Sequence, residues 1–273
     1  MTSVWLLCCL AQSAAGTDSE EIQGPPVLFP GLTERAASLR DEDASLPDVG
    51  SLMDSVVSAF PREPLEIHGS FLVRRRRGVP VDERAFSMVV DWGSNPSTAR
   101  YLIMDEAGRR PVKEMSITRS RGRSPVWRFR SGIPLEDRPL PNLFGSILGS
   151  DMSWMDLSLS FLWWPGGRIV GEDRVRGYAC HVVEIPAPTV SGEKTDTAQT
   201  AYASVRLWIE KNQRMLLQAE GLDADGAVLR RLWIRSLQKI DERWMIKDME
   251  VQRYPAVHRT RLTIREVSEV ATP

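Results

Sequence analysis

From Leu65 onward the chain is built of short β-branched or aromatic segments separated by turn residues, and this pattern restricts its fold more than any other feature. Leu65–Arg75, Arg84–Trp92, Ala99–Asp105, Val112–Arg119 and Val126–Arg130 form a first group of expected strands. Arg168–Asp173, Ala179–Ile185, Tyr202–Glu210, Met215–Leu222, Val228–Ile240, Trp244–Gln252 and His258–Val267 form a second. The connections are short and carry turn chemistry, as at Gly78 to Pro80, Gly93 to Pro96, Asp105 to Gly108 and Asp223 to Gly226. Hairpin spacing requires antiparallel pairing, because a parallel crossover needs a dozen or more residues. A mainly β chain of 273 residues with 42% hydrophobic side chains can bury a substantial core in one domain.

Such a sheet needs a cover. In the 228–235 segment Val228, Leu232 and Ile234 share one face, while Leu229 and Trp233 share the other with Arg231 and Arg235. With apolar groups on both faces, something other than water must lie on one of them. Two segments can do so. Val49, Leu52, Met53, Val56, Val57 and Phe60 make an apolar stripe at helical period, which predicts a helix over 48–60 with Asp48 as N-cap and Pro61 as its stop. The stretch from Gly149 to Trp164 holds Trp154, Trp163 and Trp164 and no Lys, Arg or His, and its polar residues predict a short helix from Ser153 to Phe161. Asp151 fits a cap and Asp156 a first helical turn, where a carboxylate suits the helix dipole. Helical spacing of Trp154, Met155, Leu159 and Leu162 suits core packing and equally suits a lid over an apolar ligand. Pro134, Pro139 and Pro141 break the strand pattern before it.

The N-terminus has its own chemistry. Residues 1–16 lack charged side chains, contain the run from Val4 to Leu10 and end in small residues near Ala15, which predicts a signal peptide and export to the periplasm. A disordered tail with a chance apolar run is the alternative. Cys9 could serve as a lipid-modified N-terminus, but the residue before it is Cys8 rather than a smaller one, and plain cleavage fits better. Residues 17–47 are rich in Gly, Pro and acids and read as a linker, leaving 48–270 as the folded domain. Cys180 lies in an apolar strand and reads as a buried thiol.

The chemistry classes narrow quickly. Net charge is −1, so the overall balance favours neither nucleic acid nor an acidic substrate. His68, His181 and His258 sit in separate strands without neighbouring ligands, which argues against a metal site. No nucleophile elbow, phosphate loop or dinucleotide fingerprint occurs, so the expectation is a non-enzymatic protein without a cofactor. Arg74, Arg75, Arg76 and Arg77 end the first strand, either as a docking patch for a membrane or envelope protein or as cations guarding a sheet edge. Arg119, Arg121, Arg123, Arg128 and Arg130 repeat the theme. Aromatic residues scarcely interleave with them, against nucleic-acid binding.

Four segments then carry a resemblance: SDMSWMDL at 150–157, GYACHVVE at 177–184, VRLWIE at 205–210 and MIKDME at 245–250. With the order of elements, they make the chain similar to the outer-membrane lipoprotein-sorting protein family, the LolA-like periplasmic lipoprotein carriers. The resemblance implies an unclosed, strongly curved antiparallel β-barrel, a half-barrel with helices covering its concave face. It implies that lipid or lipoprotein acyl chains lie in that concavity beneath 48–60 and 144–163. The lining would draw on Val56, Phe60, Phe144, Leu148, Met152, Trp154, Met155, Leu159 and Trp163. The arginine that such carriers set against their cover has no match that the sequence singles out. A regulatory or sensor module of the same fold, binding an envelope protein, is the alternative function.

Overall fold

The structure, a computed structural model, describes residues 46–75, 78–120, 123–188, 201–240, 243–255 and 257–270. The expected leader with Cys8 and Cys9, all but the end of the 17–47 linker, and Arg76, Arg77 and Arg121 lie outside the described residues.

Alternation of apolar and polar side chains produces one antiparallel sheet of thirteen strands among the described residues. The first six are β1 (Leu65–Arg75), β2 (Pro80–Asp91), β3 (Ser97–Met104), β4 (Pro111–Arg119), β5 (Val126–Ser131) and β6 (Glu136–Arg138). They are followed by β7 (Arg168–Val175), β8 (Tyr178–Pro186), β9 (Ser204–Glu210), β10 (Leu216–Leu222), β11 (Val228–Ile240), β12 (Arg243–Arg253) and β13 (His258–Glu269). The spatial order is β6-β5-β4-β3-β2-β1-β13-β12-β11-β10-β9-β8-β7. Two hairpin meanders therefore run outward from a seam where β1 meets β13, with Phe71 opposite Leu262. The sheet is not closed: β6 and β7 are its two edges. The chain between them, residues 139–167, has to pass from one edge to the other.

The inner face is apolar. Tyr101 and Ile103 on β3, Met115 and Ile117 on β4, Met249 and Val251 on β12, and Leu262 and Ile264 on β13 are all buried. The outer face pairs charges, among them Arg206 with Glu184, Arg231 with Glu220 and Arg259 with Glu250. Pairs of this kind contribute little singly where both partners meet water, about 0–1 kcal/mol each, whereas Glu220 is itself buried beneath Arg231. Trp233 lies on that outer face with the guanidinium groups of Arg231 and Arg259 each 5.7 Å from its ring. Both faces of β11 thus find partners, and only the inner one is covered by chain.

The first cover is α1 (Val49–Ser58), capped as expected by Asp48, whose Oδ2 accepts from the Ser51 N–H at 2.9 Å. It buries Leu52, Met53 and Val56. The second cover differs from the single helix expected over 153–161. α2 spans Trp154–Ser158, Leu159 turns left-handed at φ 49°, and a 3₁₀ helix follows over Ser160–Trp163. Hydroxyl competition marks this break: Ser158 Oγ bonds back to the Met155 carbonyl, and Ser158 and Ser160 share a hydrogen bond of 2.7 Å. Every residue of α2 is buried, so tertiary packing holds it rather than an amphipathic surface. α1 packs against the 3₁₀ helix, joining the two covers over the inner face. Strand positions match expectation, although β2 begins at Pro80, inside the expected turn, rather than at Arg84; β6 was not expected, because its three residues, Glu-Asp-Arg, carry no apolar signal.

Candidate functional site: an apolar cleft beneath a two-part cover

The edge-to-edge segment is fastened at its first half by buried polar groups. Ser153, not Asp151, is the N-cap of α2: its side chain accepts from the Asp156 N–H, and Asp156 Oδ2 accepts from the Ser153 backbone at 3.1 Å. The other Asp156 oxygen accepts from the Tyr202 hydroxyl at 2.6 Å. Arg230, on the inner face of β11, lies 3.6 Å from Asp156 Oδ2 and donates to the Asp151 carbonyl at 2.9 Å. Asp151 itself reaches the seam: its Oδ2 accepts from Thr260 Oγ1 at 2.9 Å and its Oδ1 from the Arg253 N–H at 3.2 Å. Burial works against the Arg230 charge, but Asp156, Tyr202 and Asp151 outweigh it and raise its pKa. Burial, then the Asp156 carboxylate, pushes the Tyr202 hydroxyl well above its ordinary value. A satisfied network in a low-dielectric interior fixes one arrangement, because breaking any member strands a buried partner.

The second half of the segment sits over an apolar cleft. Phe60, Leu157, Leu159 and Trp163 wall it from the cover side. Met88, Tyr101, Met249 and Ile264 wall it from the sheet, with Trp92 at its rim beside Phe60. The Phe60 ring stands 5.0 Å from Trp92 and 6.0 Å from Trp163. The space open to the centre of a water-sized sphere is about 60 Å³. That is room for a few waters and not for a long acyl chain. Methionines on the floor give the walls adaptable shape.

Beside this cleft lies a cation that the sequence placed on the surface. Arg119 follows Met115 and Ile117 in the inward register of β4 and is 8% exposed. Its guanidinium stacks on Trp163 at 4.1 Å from the ring centroid, and its Nη2 donates to Ser160 Oγ at 2.7 Å. Burial lowers its pKa, opposed in part by Tyr101. Burial likewise pushes the Tyr101 hydroxyl up to about 12. Arg119 is thus an arginine set against the cover. The inward alternation of β4 was the signal that could have found it. Three other arginines of that group differ from Arg119: Arg123 and Arg128 are exposed, and Arg130 pairs with Glu114 at 3.5 Å. Arg74 and Arg75 are exposed at the end of β1.

The structure brings three of the nine expected lining residues, Phe60, Leu159 and Trp163, to the cleft wall. Val56, Met152, Trp154 and Met155 are buried in the surrounding core, Trp154 edge-on to Phe129 at 6.2 Å. Phe144 packs edge-on against Tyr202 at 5.0 Å, and Leu148 is exposed. Composition could not separate these roles, since both positions favour large apolar side chains. The sheet-side residues Met88, Trp92, Tyr101 and Met249 fall within expected strands, and only their place under the cover distinguishes them. Among the described residues no group of His, Cys, Asp and Glu could hold a metal ion, and no helix is long and apolar enough to cross a membrane.

An open antiparallel half-barrel with helical covers defines a class of fold, and solved structures superpose on it. A DUF1329 family protein from Desulfovibrio piger superposes with a TM-score of 0.66 at 17% identity, over 84% of this chain and 95% of the other. A domain assigned as an outer membrane lipoprotein-sorting protein, from Vibrio parahaemolyticus, gives 0.65 at 11% identity, over 83% and 95%. A LolA superfamily protein from Nitrosomonas europaea gives 0.62 at 12% identity, over 84% and 96%. The chain therefore has the LolA-like open-barrel fold. A family model described as an uncharacterized protein matches residues 139–271, from the start of the edge-to-edge segment to the end of the second meander. No curated protein matches the chain.

Proposed function

We propose that this chain is an exported, non-enzymatic carrier that buries lipid or lipoprotein acyl chains in the cleft beneath the 144–163 cover and moves them through the envelope towards the outer membrane. The observation that carries this reading is the cleft itself, apolar on both sides and closed by a separate piece of chain. The fold shared with a lipoprotein-sorting domain and a LolA superfamily protein supports it. Loading a long chain calls for the cover to lift, since the space beneath it admits only a few waters. The driving force is removal of methylenes from water, about 0.8 kcal/mol for each one buried. Release then needs a membrane or partner that competes for the chain, and the exposed Arg74 and Arg75 offer a docking point for such a surface.

The test is direct. Lipid extracted from the purified mature protein is identified by mass spectrometry, and uptake of a fluorescent acyl chain is measured in parallel. We expect co-purified acyl lipid and saturable uptake. Protein that carries no lipid and takes up no acyl chain would end the carrier reading.

A further inference from the structure

Arg119 and Arg230 are both buried arginines on the inner face, and the chain treats them differently. Arg230 has Asp156 and Asp151 around it. Among the described residues Arg119 makes one hydrogen bond, to a neutral serine hydroxyl, and its Nε and Nη1 have no partner. Tyr101 is the acidic group that acts on its charge, and Tyr101 is held in its neutral form. Taking a guanidinium out of water is costly unless its donors find acceptors. The cation–π contact with Trp163 offsets part of that cost but gives the free N–H groups no acceptor. Packing alone gives no reason for a cation here, where Met115 and Ile117 precede it in the same register. The position of the charge does give one. Trp163 is a wall of the cleft on one side and the lid over the guanidinium on the other, and Tyr101 is a second shared wall.

We propose that the cleft takes a long-chain fatty acid, its carboxylate held by the free Nε and Nη1 of Arg119 and its tail laid between the cover and Met88, Met249 and Ile264. This rests on the carrier reading and names its ligand class. The Trp163 ring must turn away for the head to reach the guanidinium, and the same movement widens the cleft for the tail. A carboxylate supplies acceptors to both free donors, making the charge-assisted bonds that are the strongest a buried arginine forms.

Equilibrium binding of radiolabelled palmitate, 1-hexadecanol and hexadecyl phosphate to the purified protein tests it, with Arg119→Met as the variant. The wild-type protein is expected to prefer palmitate over the alcohol by about tenfold or more, the value of one charge-assisted hydrogen bond. Arg119→Met is expected to lose that preference and to bind acid and alcohol alike. Equal binding of acid and alcohol by the wild type, or a preference that survives Arg119→Met, overturns the fatty-acid assignment and leaves the carrier reading standing. Tighter binding of hexadecyl phosphate than of palmitate overturns it in favour of a phosphate head. Failure to bind any of the three overturns the carrier reading as well. The wild-type comparison decides the question even where the variant does not fold.

Discussion

At the scale of single residues, Gly221 determines how the cover is fastened. A Cβ placed on it would stand 2.2 Å from Cε1 of Tyr202, so only glycine lets the tyrosine ring lie flat on β10. From that seat the Tyr202 hydroxyl reaches Asp156. Gly221→Ala must displace the ring and leave a buried carboxylate oxygen without its donor. Tyr202→Phe leaves the ring in place and removes the donor alone. Each is expected to lower the unfolding free energy by about 1–3 kcal/mol, with the alanine variant the worse of the two. Urea unfolding followed by tryptophan fluorescence measures both. A Tyr202→Phe protein as stable as the wild type would show that the hydroxyl does not hold the cover.

At the scale of elements, the cover has two unlike halves. The half from Asp151 to Asp156 is bonded to the sheet through Thr260, Arg253 and Arg230, and to Tyr202 just ahead of β9. The half from Ser158 to Trp163 makes one described side-chain hydrogen bond to the sheet, from Arg119 to Ser160, and otherwise rests on apolar contact. Hydrogen exchange in the native state is expected to separate them, with slow amides over 151–157 and faster, locally opening amides over 159–164. Equal protection of both halves would mean that the cover does not open in the free protein. The break between the halves, at Leu159, was not legible in the sequence. Leucine favours helix, and a left-handed leucine is imposed by the surroundings of Ser158 and Ser160 rather than announced by composition. Strand positions were legible because each strand alternates over enough residues to show its period, and β6 escaped for want of that length. Arg119 escaped for another reason. It lies among arginines that do face water, and its inward direction follows only once Met115 and Ile117 are fixed on the inner face. The covering role of the 48–60 and 144–163 segments was legible, since an antiparallel sheet with apolar groups on both faces demands a partner.

At the scale of the whole molecule, two meanders share one seam and one tether. The seam, β1 against β13, joins strands near the two ends of the described chain by a ladder that runs the length of β1 with one register shift between His68 and Gly69. The tether, residues 139–167, joins β6 to β7 across the mouth of the half-barrel. Nothing else in the described chain connects those edges. Fluorescent labels at Asp137 on β6 and Val170 on β7, both exposed, would report the width of the mouth. Acyl loading is expected to change the transfer efficiency between them, and an unchanged efficiency in protein shown to hold ligand would mean that the sheet is rigid and the cover alone adjusts.

A strap buckled at both rims of a cup cannot swing aside like a door. To rise it must either bow outward on slack or draw on the rims themselves. The slack is small here, because the Asp151 network pins the strap partway across. On the proposed carrier reading, filling the cup would strain its walls, and the loaded protein would hold a spring that favours giving up its contents when a competing surface lifts the strap.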